Sequence, residues 1–245
     1  MSIQEGGASR VEDRGPERLS GTRPSTLDAR PSGPDPRPSS SRRSFANWFF
    51  YALIWILCWV FCQVWFRFLF TGRAHVPATG PVLLVANHQS HLDPVLVGVA
   101  CQRQMRALAR HSLFVWPLGW LIRSLGAVPI ERERSALSGM KTTLKLLKDG
   151  AAVLVFPEGT RTPQGKLQPF QPGFCVLARR SGATIIPVAI DGAFTAMPRG
   201  SRFPRPRPIK LMFCPPIPPV EQRRRNDDEL ARLVTARIAD AFRNS

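Results

Sequence analysis

The sequence predicts an α/β protein: a largely parallel sheet flanked by helices, preceded by an N-terminal membrane-anchoring helix. Three observations carry this. From about residue 75 onward, short apolar runs of strand character alternate with helical patterns, the order that gives parallel strands with helices on the sheet faces. Two polar motifs, Asn87-His88-Gln89-Ser90-His91-Leu92-Asp93 and Phe156-Pro157-Glu158-Gly159-Thr160-Arg161, each follow such a run. In open α/β sheets the reactive groups gather beyond the carboxyl ends of strands. The third observation is a long apolar segment at residues 48–70, ahead of all the strands.

Residues 1–44 are rich in Pro, Ser, Gly and Arg and almost devoid of large apolar side chains, so this leader is expected to be disordered. It does not resemble a secretory signal, because the apolar stretch begins too late. Residues 45–72 are expected to form the anchor. Within it, residues 48–70 contain only Gln63 and Arg67 as strongly polar side chains, which makes the segment long enough to span a bilayer as a helix. Four tryptophans, Trp48, Trp55, Trp59 and Trp65, also suit an interfacial setting. Arg42 and Arg43 flank one end and Arg67 and Arg73 the other, so charge does not choose between a spanning and a re-entrant anchor.

Residues 73–245 are expected to form the α/β domain. Strands are predicted at 81–86, 106–109, 127–130, 152–156, 184–190 and 210–213, and helices from 94 to 101 and around 173–180. Residues 113–125, strongly apolar with Trp116 and Trp120, read as either a core helix or a second membrane-surface element. Residues 135–148 place Leu137, Met140, Leu144 and Leu147 at helical spacing, with Gly150 where a helix C-terminal cap belongs. Asn226 or Asp227 is expected to cap a last helix whose Leu230, Leu233, Val234, Ile238 and Phe242 form one face.

The chain of 245 residues carries a net charge of +17. The first 45 residues hold eight Arg against six acids, so the basicity belongs to the folded part and implies anionic partners. The five cysteines, Cys58, Cys62, Cys101, Cys175 and Cys214, show neither CxxC pairing nor zinc spacing, and read as buried thiols of a reducing compartment.

His88 and Asp93 are five residues apart, about 140° around an ideal helix, so they can meet only across a turn. Pro94 supports a helix beginning there. In such a turn the carboxylate can fix one imidazole tautomer and leave the other nitrogen to take a proton. No serine or cysteine nucleophile accompanies the pair, which suggests a base acting directly on a substrate hydroxyl. A metal site is not expected, since His88, His91 and Asp93 lack the spacing of familiar ligand sets. A plain polar helix cap is the other reading of HxxxxD taken alone. The second motif offers backbone amides, a hydroxyl and a guanidinium suited to holding phosphate. Glu158 would repel phosphate, so it is expected to orient the arginine or accept a bond from a substrate hydroxyl. An ordinary turn with Glu–Arg pairing is its bland alternative. Arg132 ends another strand as an anion-contact candidate or a surface charge.

Taken in order, four blocks are recognisable: Asn87 to Asp93 with its HxxxxD core, Gly126-Ala127-Val128-Pro129-Ile130-Glu131-Arg132, Phe156 to Arg161, and Ile185-Ile186-Pro187-Val188. With these, residues 75–215 resemble the glycerolipid acyltransferases, most nearly the 1-acylglycerol-3-phosphate (lysophosphatidic acid) acyltransferases. The resemblance implies transfer of a fatty acyl group from acyl-CoA or acyl-carrier protein, as co-substrate and without a cofactor, to a lysolipid hydroxyl. It implies His88 as general base and Asp93 as its partner. Arg132, Glu158, Gly159, Thr160 and Arg161 would bind the substrate phosphate, and Ile186 and Pro187 would help line the acyl-donor site. Gln171 and Arg110 depart from the family pattern, where lysine is common. The implied partners are membrane lipids, lysophosphatidate and the acyl donor, with the domain on the cytoplasmic face of a membrane (the inner membrane if bacterial).

Other lysolipids, such as a lyso-ornithine lipid or a lysophospholipid with a larger head group, are the alternative acceptors. A basic nucleic-acid-binding protein is the competing class. The folded part shows no basic-aromatic interleaving to support it, and the apolar segment argues against it.

Overall fold

The structure, a computed structural model, describes residues 45–110, 127–130 and 136–243. The expected disorder of the leader, the apolar stretch at 113–125 and Arg132 lie outside the described residues. In chain order the elements are α1 (Phe45–Phe66), β1 (Leu69–Thr71), β2 (Val82–Ala86), α2 (Asp93–Ala100), β3 (Met105–Arg110) and β4 (Ala127–Ile130). They continue as α3 (Ala136–Lys148), β5 (Ala152–Val155), α4 (Gly173–Ser181), β6 (Thr184–Asp191), α5 (Ala193–Ala196), β7 (Lys210–Phe213), α6 (Pro219–Arg223) and α7 (Asp227–Arg243).

One seven-stranded sheet runs in the order β1-β7-β6-β2-β5-β3-β4. All neighbouring pairs are parallel except β6 with β7. The period of two along the strands divides the core. Val82, Leu84, Ala86, Ile186 and Val188 face α1 and α2, packing with Cys62, Phe66, Leu96 and Val97. Leu83, Val85, Val153 and Ile185 face the other way, packing with Leu147 of α3, Leu177 of α4 and Leu230, Val234 and Ile238 of α7. Strands buried on both faces explain why β2 reads as a continuous apolar run.

Three local signals act as the sequence indicates. Gly150 adopts φ +79°, past the end of α3. Asn226 Oδ1 accepts from the Glu229 amide at 2.8 Å while Glu229 Oε2 accepts from the Asn226 amide at 3.0 Å, a reciprocal cap at the start of α7. Leu230, Val234 and Ile238 are buried on that helix, with Leu233 and Phe242 packed alongside.

The apolar segment behaves differently from a single helix over residues 48–70. The helix stops at Phe66, Arg67 turns the chain at φ +45°, and Leu69–Thr71 pairs with β7 as an edge strand. The physical reason is that Phe66 and Phe68 are both drawn into the core, which an uninterrupted helix could not arrange. The sheet therefore takes in residues expected to belong to the anchor. Leu53, Ile56, Leu57, Trp59, Val60, Phe61, Val64 and Trp65 are exposed along α1. Among the described residues no helix is long and apolar enough to cross a membrane.

Candidate active site

β2 and β5 are direct neighbours, with Val85 opposite Val155, so their following loops emerge side by side. The first carries His88 and the second Glu158. Asn87 fixes the start of its loop: its side chain donates to Ile190 O at 2.9 Å and accepts from Ile190 N at 2.8 Å, extending the sheet pairing by one residue. Gln89 Oε1 accepts from Phe194 N, and Ser90 Oγ donates to Met197 O at 2.9 Å. The loop is thus tied to β6 and to the segment after it.

Within this loop Asp93 opens α2 and is fully buried. Its Oδ2 accepts three N–H groups: His88 Nδ1–H at 2.8 Å, the Gln89 amide at 2.6 Å and the Ser90 amide at 2.9 Å. Burial pushes the Asp93 carboxyl up from its ordinary range, against the lowering by the imidazole and the two amides. With Oδ2 already accepting two backbone amides, an ionised Asp93 can only accept from the imidazole, which assigns the His88 proton to Nδ1 and leaves Nε2 as the acceptor. The His88 side chain keeps 19% of its surface open to solvent.

The second motif holds His88 from the other side. The His88 amide donates to Glu158 Oε1 at 3.1 Å, and His88 O accepts from the Thr162 amide at 2.8 Å. The Phe156 ring stacks on the imidazole, centroids 4.0 Å apart and 17° between planes. Glu158 is buried, and burial raises its carboxyl to about 7, with the charge of Asp93 adding to the rise and the amides of His88 and Gln168 opposing it. Gly159 adopts φ +70°, which lets the turn reverse after Glu158. Gly159 and Thr160 are exposed, and Arg161 is half-buried. Arg161 lies close enough to His91 to lower that imidazole's affinity for a proton, after the larger effect of burial.

The structure thus brings His88, Asp93 and Glu158 together, with Gly159, Thr160 and Arg161 on the adjoining turn. Ile186 and Pro187 are placed elsewhere: both are buried in β6, opposite Leu84 and Val85, below the level of the loops. Two contributions were not read from the sequence. Phe156 stands in the second motif as the residue that stacks on His88. Thr162, one residue past that motif, takes the His88 carbonyl. An aromatic residue at a strand end is the signal available for the first; for Thr162 there is none. Among the described residues no group of three or more His, Cys, Asp or Glu has the arrangement to hold a metal ion. All five cysteines are free. Burial pushes the Cys175 thiol up to about 12 and Cys214 up to about 11, so neither is an activated nucleophile.

The sequence profile of the Acyltransferase family matches residues 67–191, just over half of the chain and all of this loop cluster. The chain belongs to the Acyltransferase family. Its similarities to individual members agree. A chloroplastic 1-acyl-sn-glycerol-3-phosphate acyltransferase of Brassica napus is 34% identical over 53% of this chain and 39% of its own length. The corresponding chloroplastic protein of Arabidopsis thaliana is 32% identical over 65% of this chain and 45% of its own. The chain thus spans less than half the length of these two relatives. The crystal structure of the 1-acyl-sn-glycerophosphate acyltransferase PlsC of Thermotoga maritima superposes with a TM-score of 0.70 at 25% identity, covering 82% of each chain. In this member of the family the HxxxxD loop is therefore set in a family fold, and the backbone N–H and C=O of its histidine are engaged by Glu158 of the second motif and by Thr162 just past it.

Proposed function

We propose that this chain transfers a fatty acyl group from a thioester, acyl-CoA or acyl-carrier protein, to the free hydroxyl of lysophosphatidate, giving phosphatidate in phospholipid biosynthesis without a cofactor. The observation that carries the reading is the His88–Asp93 pair at 2.8 Å, with Nδ1–H committed to a buried carboxylate and Nε2 left to accept. His88 Nε2 takes the proton of the acceptor hydroxyl as its oxygen attacks the thioester carbonyl. Asp93 stabilises the imidazolium so formed. The tetrahedral intermediate expels the thiolate, which recovers the proton from His88, leaving an ester and a free thiol. The inert thiols favour this direct transfer over an acyl-enzyme.

Arg161, with the exposed turn of Gly159 and Thr160 and the Thr160 hydroxyl, would take the phosphate, joined by Arg132 on the family resemblance; the Gly159 amide itself donates to Phe156 O at 3.1 Å. Glu158 would act mainly by holding the His88 backbone. Its affinity for a proton near neutrality reduces the repulsion it would offer a phosphate. Ile186 and Pro187 would serve the donor side from below, as sheet packing beneath the loops.

The exposed apolar face of α1 supports attachment to a membrane. Because Cys62 and Phe66 at its end lie in the protein core, α1 rests on the bilayer surface in this reading, its outer face in the interface. Free cysteines and a thioester donor suit the cytoplasmic side. Thioester consumption by the purified chain, with acyl-CoA and acyl-carrier protein as donors and a panel of lysolipid acceptors, tests the proposal. Lysophosphatidate is expected to be preferred at least ten-fold over acceptors lacking a phosphate. Equal rates with a lyso-ornithine lipid would contradict the choice of acceptor.

A further inference from the structure

The segment between α5 and β7 is not used by the proposed chemistry, yet it joins the active-site loop to the apolar helix. At one end Met197 O accepts from Ser90 Oγ at 2.9 Å, directly beside the Asp93 turn. At the other, Pro204 O accepts from Trp65 Nε1 at 3.3 Å, and Ile209 is held by Phe66 O and Leu69 N, both at 3.0 Å. Arg205 N donates to Ala196 O at 2.7 Å, closing the segment on itself. Four prolines, Pro198, Pro204, Pro206 and Pro208, limit its freedom, so little ordering is left to be done on binding.

What this braced segment presents is unusual in composition. Phe203 is 80% exposed, while Trp65 and Val64 at the α1 end and Leu69 of β1 are 41%, 76% and 61% exposed. Arg199, Arg202, Arg205 and Arg207 are exposed around Phe203, and none of their guanidinium groups has a carboxylate partner among the described residues. From Gly192 to Lys210 there is no Asp or Glu; the nearest acid before it, Asp191, caps the Gly192 amide. An exposed phenylalanine whose neighbour Pro204 bonds the apolar helix, in a run of four exposed arginines with no carboxylate partner among the described residues, matches a surface that is apolar below and anionic above.

We propose that residues 197–208 form a second membrane-docking element, in which Phe203 enters the bilayer interface beside α1 and the four arginines bind anionic lipid head groups. The element sets a preference for anionic bilayers and, through Met197 and Ser90, holds the active-site loop next to the surface. This rests on the membrane attachment proposed above, and it names the lipid class and the residues that recognise it. An acidic protein would satisfy the arginines but not the exposed Phe203 or its continuity with α1.

The test compares the full chain, Phe203→Ser, and the combined R199Q, R202Q, R205Q and R207Q variant in vesicle flotation. Vesicles are phosphatidylcholine alone or phosphatidylcholine with phosphatidylglycerol. Phe203→Ser is expected to weaken binding to both about ten-fold, the loss of one buried aromatic side chain. The four-arginine variant is expected to lose the preference for anionic vesicles, by at least ten-fold at low salt, since each charge near such a surface contributes about five-fold or more. Both variants should keep full activity on acceptor dispersed in neutral detergent, because the substitutions lie on exposed side chains. Unchanged partition of both variants would overturn the proposal. So would normal vesicle binding by the four-arginine variant with a selective loss of activity toward acyl-carrier-protein donors, which would make the patch a protein-docking site. If the unsubstituted chain transfers no acyl group in detergent while flotation responds as described, the catalytic reading fails and this one stands.

Discussion

Asp93 gathers three N–H donors on a single oxygen while Glu158 and Thr162 occupy both backbone groups of His88, so the imidazole is positioned from two directions. The sequence made half of this readable. A histidine and a carboxylate five residues apart, followed by Pro94, indicate a turn in which the two meet. The bond from His88 N–H to Glu158 spans seventy residues and exists because β2 pairs with β5, an adjacency that no local pattern encodes. For that reason Glu158 read as a ligand for substrate or arginine, whereas its carboxylate is buried against the histidine loop. Its raised proton affinity has a consequence for stability. A carboxyl that shifts from 4.5 to about 7 on folding binds its proton more firmly in the folded state. Its contribution is therefore full below pH 4.5 and is lost as pH rises through 7. Glu158→Gln should flatten the decline in unfolding free energy across that window, a difference of about 2–3 kcal/mol between the two proteins. Parallel denaturation curves from pH 4.5 to 8 would contradict the assigned environment.

At the level of elements, the alternation of strands and helices was legible because the central strands β2, β5 and β6 are buried on both faces and the outer helices α3, α4 and α7 keep one apolar stripe. The end of α1 was not legible. Arg67-Phe68-Leu69-Phe70 continues an apolar run, and periodicity alone does not separate a helix from a short strand in such a stretch. What decides it is tertiary: β1 fits beside β7, and the following Gly72 at φ +71° approaches that strand closely. A side-chain carbon at Gly72 would lie 2.0 Å from Phe213 O, far inside contact distance. Gly72→Ala is expected to destabilise the fold by about 2 kcal/mol or more, from the left-handed backbone and the clash together. Chemical denaturation measures this, and a change below about 0.5 kcal/mol, the size of an ordinary surface substitution, would show that β1 is not locked there.

For the molecule as a whole, the family fold puts His88, Asp93 and the turn of Gly159 to Arg161 together beyond the carboxyl ends of β2 and β5. α1 and the basic segment before β7 supply the apolar and cationic surface proposed to meet a membrane. Net charge alone suggested anionic partners of any kind. The run Arg199, Arg202, Arg205, Arg207 and Lys210 around Phe203 is legible in the sequence as a surface for anionic head groups or an acidic donor. Its place beside an exposed helix face is visible only once the chain is folded, where Trp65 meets Pro204 next to the β1–β7 pairing. The proposed chemistry depends on His88 deprotonating the acceptor directly. The most direct measurement is the initial rate of thioester consumption with lysophosphatidate for the unsubstituted chain and for His88→Ala, both shown to be folded and to float with anionic vesicles. The expected result is a fall of at least 10²–10⁴-fold in rate with vesicle binding unchanged. A His88→Ala protein that keeps full activity would contradict it.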